Sequence, residues 1–217
     1  MTLKWRLVKR IFLALLTLLV LQSSLRANPA LKTPITPLAP PDTSSPQGTM
    51  ISFVKNINQS YETLIVAYNQ YQQELGLFPS DYVRERARQA EIFFKRAERC
   101  LNLSEIPPRL KKDKGLEATL MLKAIFDRIE IPAYDDIPDS EVVSANTKFS
   151  DEFSKWTIPN TEIDIVKVEE GVNEGEFLFS PETVARIEEF YKKVKALPYK
   201  SGVNNSLTKS MIIYYNL

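Results

Sequence analysis

The sequence predicts an α+β fold, mostly helical. An antiparallel helical hairpin and a third helix are followed by a β-hairpin and a C-terminal amphipathic helix. Three observations carry this expectation. Apolar residues recur at helical steps from Val54 to Leu101, an alternating run at 162–166 runs into glycine-rich turn chemistry, and a Ser-Pro-Glu helix start stands at 180–182. With 217 residues, 44% of them hydrophobic, the chain has room for one domain plus accessory segments.

The N-terminus reads as a targeting signal. "MTLKWRLVKR" is a basic n-region, and "IFLALLTLLVL" is an apolar run of eleven residues. That run is too short to span ~30 Å of hydrocarbon and suits a signal-peptide h-region. Ala27 is the candidate residue before cleavage, with the rather large Leu25 three positions back from the cut. An uncleaved amphipathic anchor is the other reading, and under both the rest of the chain is exported. Residues 28–48 hold six prolines among Ser, Thr and Ala, so they read as an extended linker between signal and folded body. The folded extracytoplasmic domain is expected over 49–199 and a divergent tail over 200–217.

Val54, Ile57, Tyr61, Leu64, Tyr68, Tyr71 and Leu75 form one helical stripe, which Gly76 and Pro79 end. Ser80 or Asp81 then caps a second helix with the stripe Val83, Ala87, Ala90, Phe94, Ala97 and Leu101. The short connection predicts antiparallel packing, with small Ala positions facing Tyr positions. "NLSEIPPRLKKDKG" breaks the helix, and a third helix is expected from about Leu116 to Ile129, stopped by Pro132. The segment after it reads as an irregular, solvated acidic loop. Its Asp135, Asp136, Asp139 and Glu141 have the wrong spacing for a calcium hand and no glycine for the turn.

Alternation from Glu162 to Val166 predicts a strand with one wet face, and "EEGVNEGE" supplies the turn into the return strand "EFLF". Ser180 caps the last helix, with Pro181 at its first position and Glu182 opposing the helix dipole. Val184, Ile187, Tyr191 and Val194 form its buried stripe. Glu182–Arg186, Glu188–Lys192 and Glu189–Lys193 are three outer pairs in the favourable i,i+4 order.

Composition excludes several chemistries. There is no histidine, which removes His-activated nucleophiles, most zinc sites and the usual switch near neutral pH. A single cysteine, Cys100, allows no intrachain disulfide and sits in a helical apolar pattern, as a buried inert thiol would. Lys4, Arg6, Lys9, Arg10 and Arg26 face no acid before Asn28, leaving 23 of the 28 basic residues against all 27 acidic ones. A body of net charge −4 without a basic run argues against nucleic acid as partner. Trp156–Val184 carries seven acids, of which only Glu162 and Asp164 share a strand face as a catalytic carboxylate pair must. No second function stands near them, so neither a catalytic residue, a cofactor nor a metal site is assigned.

"WTIPNTEI" at 156–163, the glycine-flanked turn at 171–175, "GEFLFSPETV" at 175–184 and "FYKKVKALPY" at 190–199 together resemble one known region. It is the extracytoplasmic N-terminal region of large MscS-like mechanosensitive channels of the cyanobacterial type. "CLNLSEIPP" at 100–108 and "LKAIFDRIEIP" at 122–132 are similar to it as well, so the likeness covers about 50–199. Trp156, Ile158, Pro159, Thr161, Glu162, Ile163, Gly171, Gly175, Phe177, Phe179, Ser180, Thr183, Pro198 and Tyr199 carry it, and the resemblance implies structural roles for them.

The resemblance further implies an exported, non-enzymatic domain at the periplasmic face of the inner membrane. It would act through protein contact with a channel membrane domain or by self-association, and would meet the membrane only through the signal segment or a partner. In the family, transmembrane helices follow this region. Here "KSGVNNSLTKSMIIYYNL" follows Tyr199, and its five apolar residues "MIIYY" fall short of the ~20 a span needs. The expectation is a domain that does not itself conduct ions, from a truncated or split channel gene or a stand-alone copy. An alternative function is a periplasmic small-ligand or peptide-binding module, with Tyr61, Tyr68 and Tyr71 lining a helical groove. A third is a hydrolase using Glu162 and Asp164.

Overall fold

Ser45 starts the first helix. Its backbone is extended and its hydroxyl accepts from Gly48 N at 3.1 Å, while Pro46 fills the first helical position, where no N–H is needed. In this computed structural model, which describes residues 39–76, 78–147 and 153–201, helix α1 runs Pro46–Tyr71. Pro46, Gln47 and Gly48, the end of the expected linker, are therefore helical. Their neighbours are tied down too. Asp42 N donates to Ser52 Oγ at 2.9 Å, and Gln47 N donates to Pro138 O at 3.0 Å. The expected signal segment, most of the linker and the tail beyond Ser201 lie outside the described residues.

Helix α2, Asp81–Glu98, is capped by Ser80, whose hydroxyl accepts from Val83 N at 3.3 Å. It packs back along α1, and Ser60 Oγ donates to Ala90 O at 2.8 Å between them. The contact line is small on both helices, with Ser60 and Ala67 buried on α1 and Ala90 and Ala97 on α2. Tyr61, Tyr68 and Tyr71 are half-buried at its flanks, so Ala does not simply face Tyr. Toward the N-terminus α1 buries Met50, Phe53 and Ile57, and the expected Val54 is only half-buried. Leu75 lies beyond the end of α1 and is fully exposed, since the helix stops at Tyr71.

Helix α3, Lys111–Phe126, starts earlier than the apolar pattern suggests. The charged run Lys111–Lys114 is its exposed first turn, not a loop. Apolar periodicity misses it because that turn projects past the core. After α3 the acidic segment is not irregular throughout. It holds a 3₁₀ turn, Tyr134–Asp136, and a short helix α4, Ser140–Thr147. Asp139 Oδ1 caps the latter, accepting from Glu141 N and Val142 N at 2.9 Å each.

The expected two-stranded hairpin is a three-stranded antiparallel sheet among the described residues. Its strands β1 (Lys155–Thr157), β2 (Asp164–Lys167) and β3 (Phe177–Phe179) stand in that spatial order. Trp156 pairs with Ile165, and Ile165 with Phe179. The outer edge of β3 is covered. Phe177 N donates to Thr43 O at 2.8 Å, Phe179 N to Cys100 O at 2.9 Å, and Asn102 N to Phe179 O at 2.9 Å. With both edges paired, Phe177, Leu178 and Phe179 are all buried.

The C-terminal helix is two pieces, α5 (Pro181–Ala185) and α6 (Ile187–Val194), broken at Arg186. Val184, Ile187 and Phe190 are buried, while Tyr191 and Val194 are half-buried. The centre of the core is a cluster of three rings drawn from α1, α3 and β3. Phe53–Phe126 centroids lie 5.7 Å apart, Phe53–Phe179 5.4 Å and Phe126–Phe179 5.9 Å, the first two edge-to-face. The chain is thus a mostly helical α+β fold with a small sheet packed against the helices. Among the described residues no helix is long and apolar enough to cross a membrane.

Candidate functional site

Most of the residues that carry the resemblance gather at the junction of the sheet with α5 and α6. Their roles follow from the backbone they hold. Between β1 and β2 the chain reverses through Pro159–Glu162, with Ile158 N donating to Ile163 O at 2.9 Å. Thr161 closes this turn, as its hydroxyl donates to Ile158 O at 2.8 Å and accepts from Ile163 N at 3.1 Å. Asn160 takes φ 60°, a left-handed conformation that Asn tolerates better than most side chains. Ile158 and Ile163 are buried, and Trp156 is half-buried against the core.

Asp164 was expected on a wet strand face, yet it is buried, with 8% exposure. Its Oδ1 accepts from Thr157 Oγ1 at 2.6 Å, and its Oδ2 pairs with Lys155 Nζ at 2.8 Å. The strand face is therefore neutralised locally by β1, an element the periodicity does not reveal. Behind it Ser180 and Thr183 join sheet to helix. Ser180 N donates to Asp164 O at 2.9 Å, Asp164 N donates to Thr183 Oγ1 at 2.9 Å, and Thr183 N donates to the capping Ser180 Oγ at 3.0 Å. Ser180 Oγ also donates to Thr183 Oγ1 at 2.9 Å. Both hydroxyls serve this corner, and neither is set up as a nucleophile beside a base.

Glu162 goes elsewhere. It is exposed in the β1–β2 turn and reaches α6, pairing with Arg186 at 2.8 Å and Lys193 at 3.4 Å. Arg186 is shared further, with Glu189 at 3.0 Å and Glu182 at 3.8 Å, and it stacks over Phe190 at 4.7 Å. The hydrogen bond from Arg186, followed by that from Lys193, holds the Glu162 carboxyl below its ordinary range. The same two donors hold Glu189 down to about 2, and those carboxylates push Arg186 up. All three expected i,i+4 pairs are present, Glu188–Lys192 and Glu189–Lys193 each at 2.7 Å. Glu162 and Asp164 are thus committed to different cations, one exposed and one buried, rather than to a shared pocket.

The second turn is formed as expected. Gly171 and Gly175 take φ 99° and 83°, Gly175 N donates to Val168 O at 2.8 Å, and Glu174 N to Gly171 O at 3.2 Å. Glu169, Glu170 and Glu174 there are exposed, and Glu176 is half-buried. Pro198 and Tyr199 lie on the far side, where Tyr199 meets Arg128 of the chain just past α3. Among the described residues no group of three or more His, Cys, Asp or Glu is placed to hold a metal ion. Cys100 is fully buried, its thiol donates to Arg96 O at 3.5 Å, and burial pushes its pKa up. Periodicity missed Arg128 and Lys155. Their signal lies in the partners, Tyr199 far along the chain and Asp164 on the neighbouring strand.

Comparison with known proteins finds no matching family model, no matching curated protein and no matching solved structure.

Proposed function

We propose that the chain is an exported, non-enzymatic domain at the periplasmic face of the inner membrane. It acts by protein–protein contact with a channel membrane domain or a second copy. The reading is that of a domain related to the N-terminal region of MscS-like mechanosensitive channels. One observation supports it above the others. The polar residues of the family-like motif are committed to building a corner between sheet and helix, with Asp164 on Lys155 and Thr157, Glu162 on Arg186 and Lys193, and Ser180 on Thr183. A motif spent on architecture fits a domain whose function is contact rather than turnover.

Fractionation and cross-linking from intact cells test it. The expected result is recovery with the envelope and a cross-link to a membrane protein or to a second copy. Retention in the cytoplasm would sink the reading. So would hydrolysis in a glycoside and ester panel that Glu162→Gln abolishes without unfolding the chain.

A further inference from the structure

We propose that the open edge of β1 is a self-association surface. On it the β1 strand of a second copy pairs antiparallel about a two-fold axis at Trp156, joining two sheets into one. This deepens the reading above, rests on it, and names the contact that a second copy makes. Ile158 N donates to Ile163 O and Lys167 N donates to Ser154 O, so Ser154, Trp156 and Ile158 turn their main-chain groups toward β2. Lys155 and Thr157 therefore turn theirs away. Among the described residues nothing bonds those outward N–H and C=O groups, whereas the outer edge of β3 is closed by Thr43, Cys100 and Asn102.

The edge lacks the devices that keep strands from pairing. β1 contains no proline and no bulge, and its register with β2 is regular from Lys155 to Thr157. A lysine on an edge normally repels a neighbour, but the Lys155 ammonium is held by Asp164 Oδ2 of its own sheet at 2.8 Å. Trp156, between the two outward residues, packs against the core and is only half-buried. The edge therefore offers an incoming strand both hydrogen bonds and an apolar contact.

The register selects the second copy as occupant. With the axis at Trp156, each Lys155 exchanges both main-chain hydrogen bonds with Thr157 of the other copy, so every outward group of β1 is satisfied. The two Trp156 residues become the non-hydrogen-bonded pair, in which Cα atoms approach to ~4.5 Å and side chains stand closest. Directly opposed aromatic residues are a favourable cross-strand pair. The neighbouring registers are worse. An axis at Lys155 sets two lysines against each other. An axis at Thr157 sets Lys155 against Pro159, which has no N–H to give. The strand is thus self-complementary in one register, as an isologous interface requires. A strand of three residues makes a small contact, so the dimer should part on dilution through the micromolar range.

The full chain, kept in solution by a mild non-ionic detergent, tests this by sedimentation over a dilution series. The wild type should pass from dimer to monomer. Thr157→Pro removes an outward N–H and no bond to β2, and should weaken dimerisation roughly tenfold or more. Thr157→Lys keeps the backbone but places a lysine opposite Lys155 of the other copy, and should weaken it as much. Should Thr157→Pro fail to fold in urea titration, Thr157→Lys decides. Thr157→Val, which loses only the hydroxyl, should dimerise like the wild type. In Trp5→Phe, where Trp156 is the remaining tryptophan, the dimer should give an exciton couplet in circular dichroism that dilution removes.

A chain that stays monomeric up to about 100 µM overturns the proposal. So does a dimer that survives Thr157→Lys, as one held through the apolar run at 11–21 would, or a dimer without the couplet. Pairing of this edge only with a different protein overturns it as well. Failure of the wider reading would appear separately, as cytoplasmic retention on fractionation.

Discussion

The guanidinium of Arg128 lies 3.9 Å from the centroid of the Tyr199 ring, with the ring of Tyr191 5.9 Å away. Arg128 also donates to Ala124 O at 2.7 Å, and Lys200 N donates to Asp127 O at 2.9 Å. The last described residues are thereby pinned to the end of α3. Tyr199→Ala should cost about 1–2 kcal/mol of stability, while Tyr199→Phe, which keeps the ring face, should cost little. Urea unfolding measures the cost. Faster proteolytic clipping near Lys195–Lys200 in the Ala variant alone would show that the clamp holds this segment.

Asp164 is the polar hinge of the sheet. Asp164→Ala would strip acceptors from Thr157 and Lys155 in a mostly buried place, for an expected loss of about 1–3 kcal/mol. Lys155→Ala should cost less, because its own side chain is 55% exposed and the Asp164 carboxylate keeps the Thr157 hydroxyl. Equal losses from the two variants in urea unfolding would contradict this asymmetry.

Acid should weaken the corner held by Arg186. Glu162 and Glu189 have folded pKa values below their unfolded ones, Glu189 at about 2. Their contribution is therefore fully present above the unfolded value of about 4.3 and is lost as pH falls toward about 2. Arg186→Gln should flatten the stability profile over that window and leave the slope above pH 5 unchanged. High salt should shrink the wild-type effect, since these carboxylates are exposed. Acid titration of unfolding with and without salt gives both readouts.

A methyl group at Gly115 would require two side-chain ends to move. A Cβ there would meet Glu98 Oε1 at 2.5 Å and Leu103 Cδ1 at 3.0 Å, where α3 passes the end of α2. Gly115→Ala should cost up to about 1 kcal/mol, because the ends of the Glu98 and Leu103 side chains must move aside, a cost that Ala's better helix propensity partly offsets. Glu98→Ala combined with it should recover part of the loss, and a double-mutant cycle measures that coupling. Additive losses would mean that the carboxylate is not what fills the space.

Much of the local structure was legible in the chain. Ser180 before Pro181, the i,i+4 pairs of 182–193 and the glycines at 171 and 175 each involve neighbours within a turn or two. Their geometry follows from backbone rules that hold in any context. The hairpin of α1 and α2 was legible for the same reason, since a stripe at helical steps has one apolar side. Its rotation was read slightly wrong. Phe53, not Val54, enters the core, because the choice between adjacent residues depends on where Phe126 and Phe179 stand.

The candidate site was legible as a motif and not as an arrangement. Glu162 and Asp164, two apart on an alternating run, suggest a common face, but the chain turns at Pro159–Glu162, so only Asp164 enters the strand. Strand β1 was missed because its three residues have no periodicity to display, and they become a strand only by pairing with β2. Likewise Lys111–Lys114 became helix because α3 behind it is anchored, and charge alone reads as loop.

By itself, then, the sequence determined what needs only near neighbours: the helical and turn content, the caps, the absence of histidine chemistry and the lone inert cysteine. Tertiary structure alone decided which acids are buried, which cation each meets and which apolar side chains remain in water. Those outcomes depend on burial and pairing between segments far apart in the chain, a term that exceeds local propensity and leaves no local trace. Glu162 meeting Arg186, and Phe53 meeting Phe126 and Phe179, are its two clearest results.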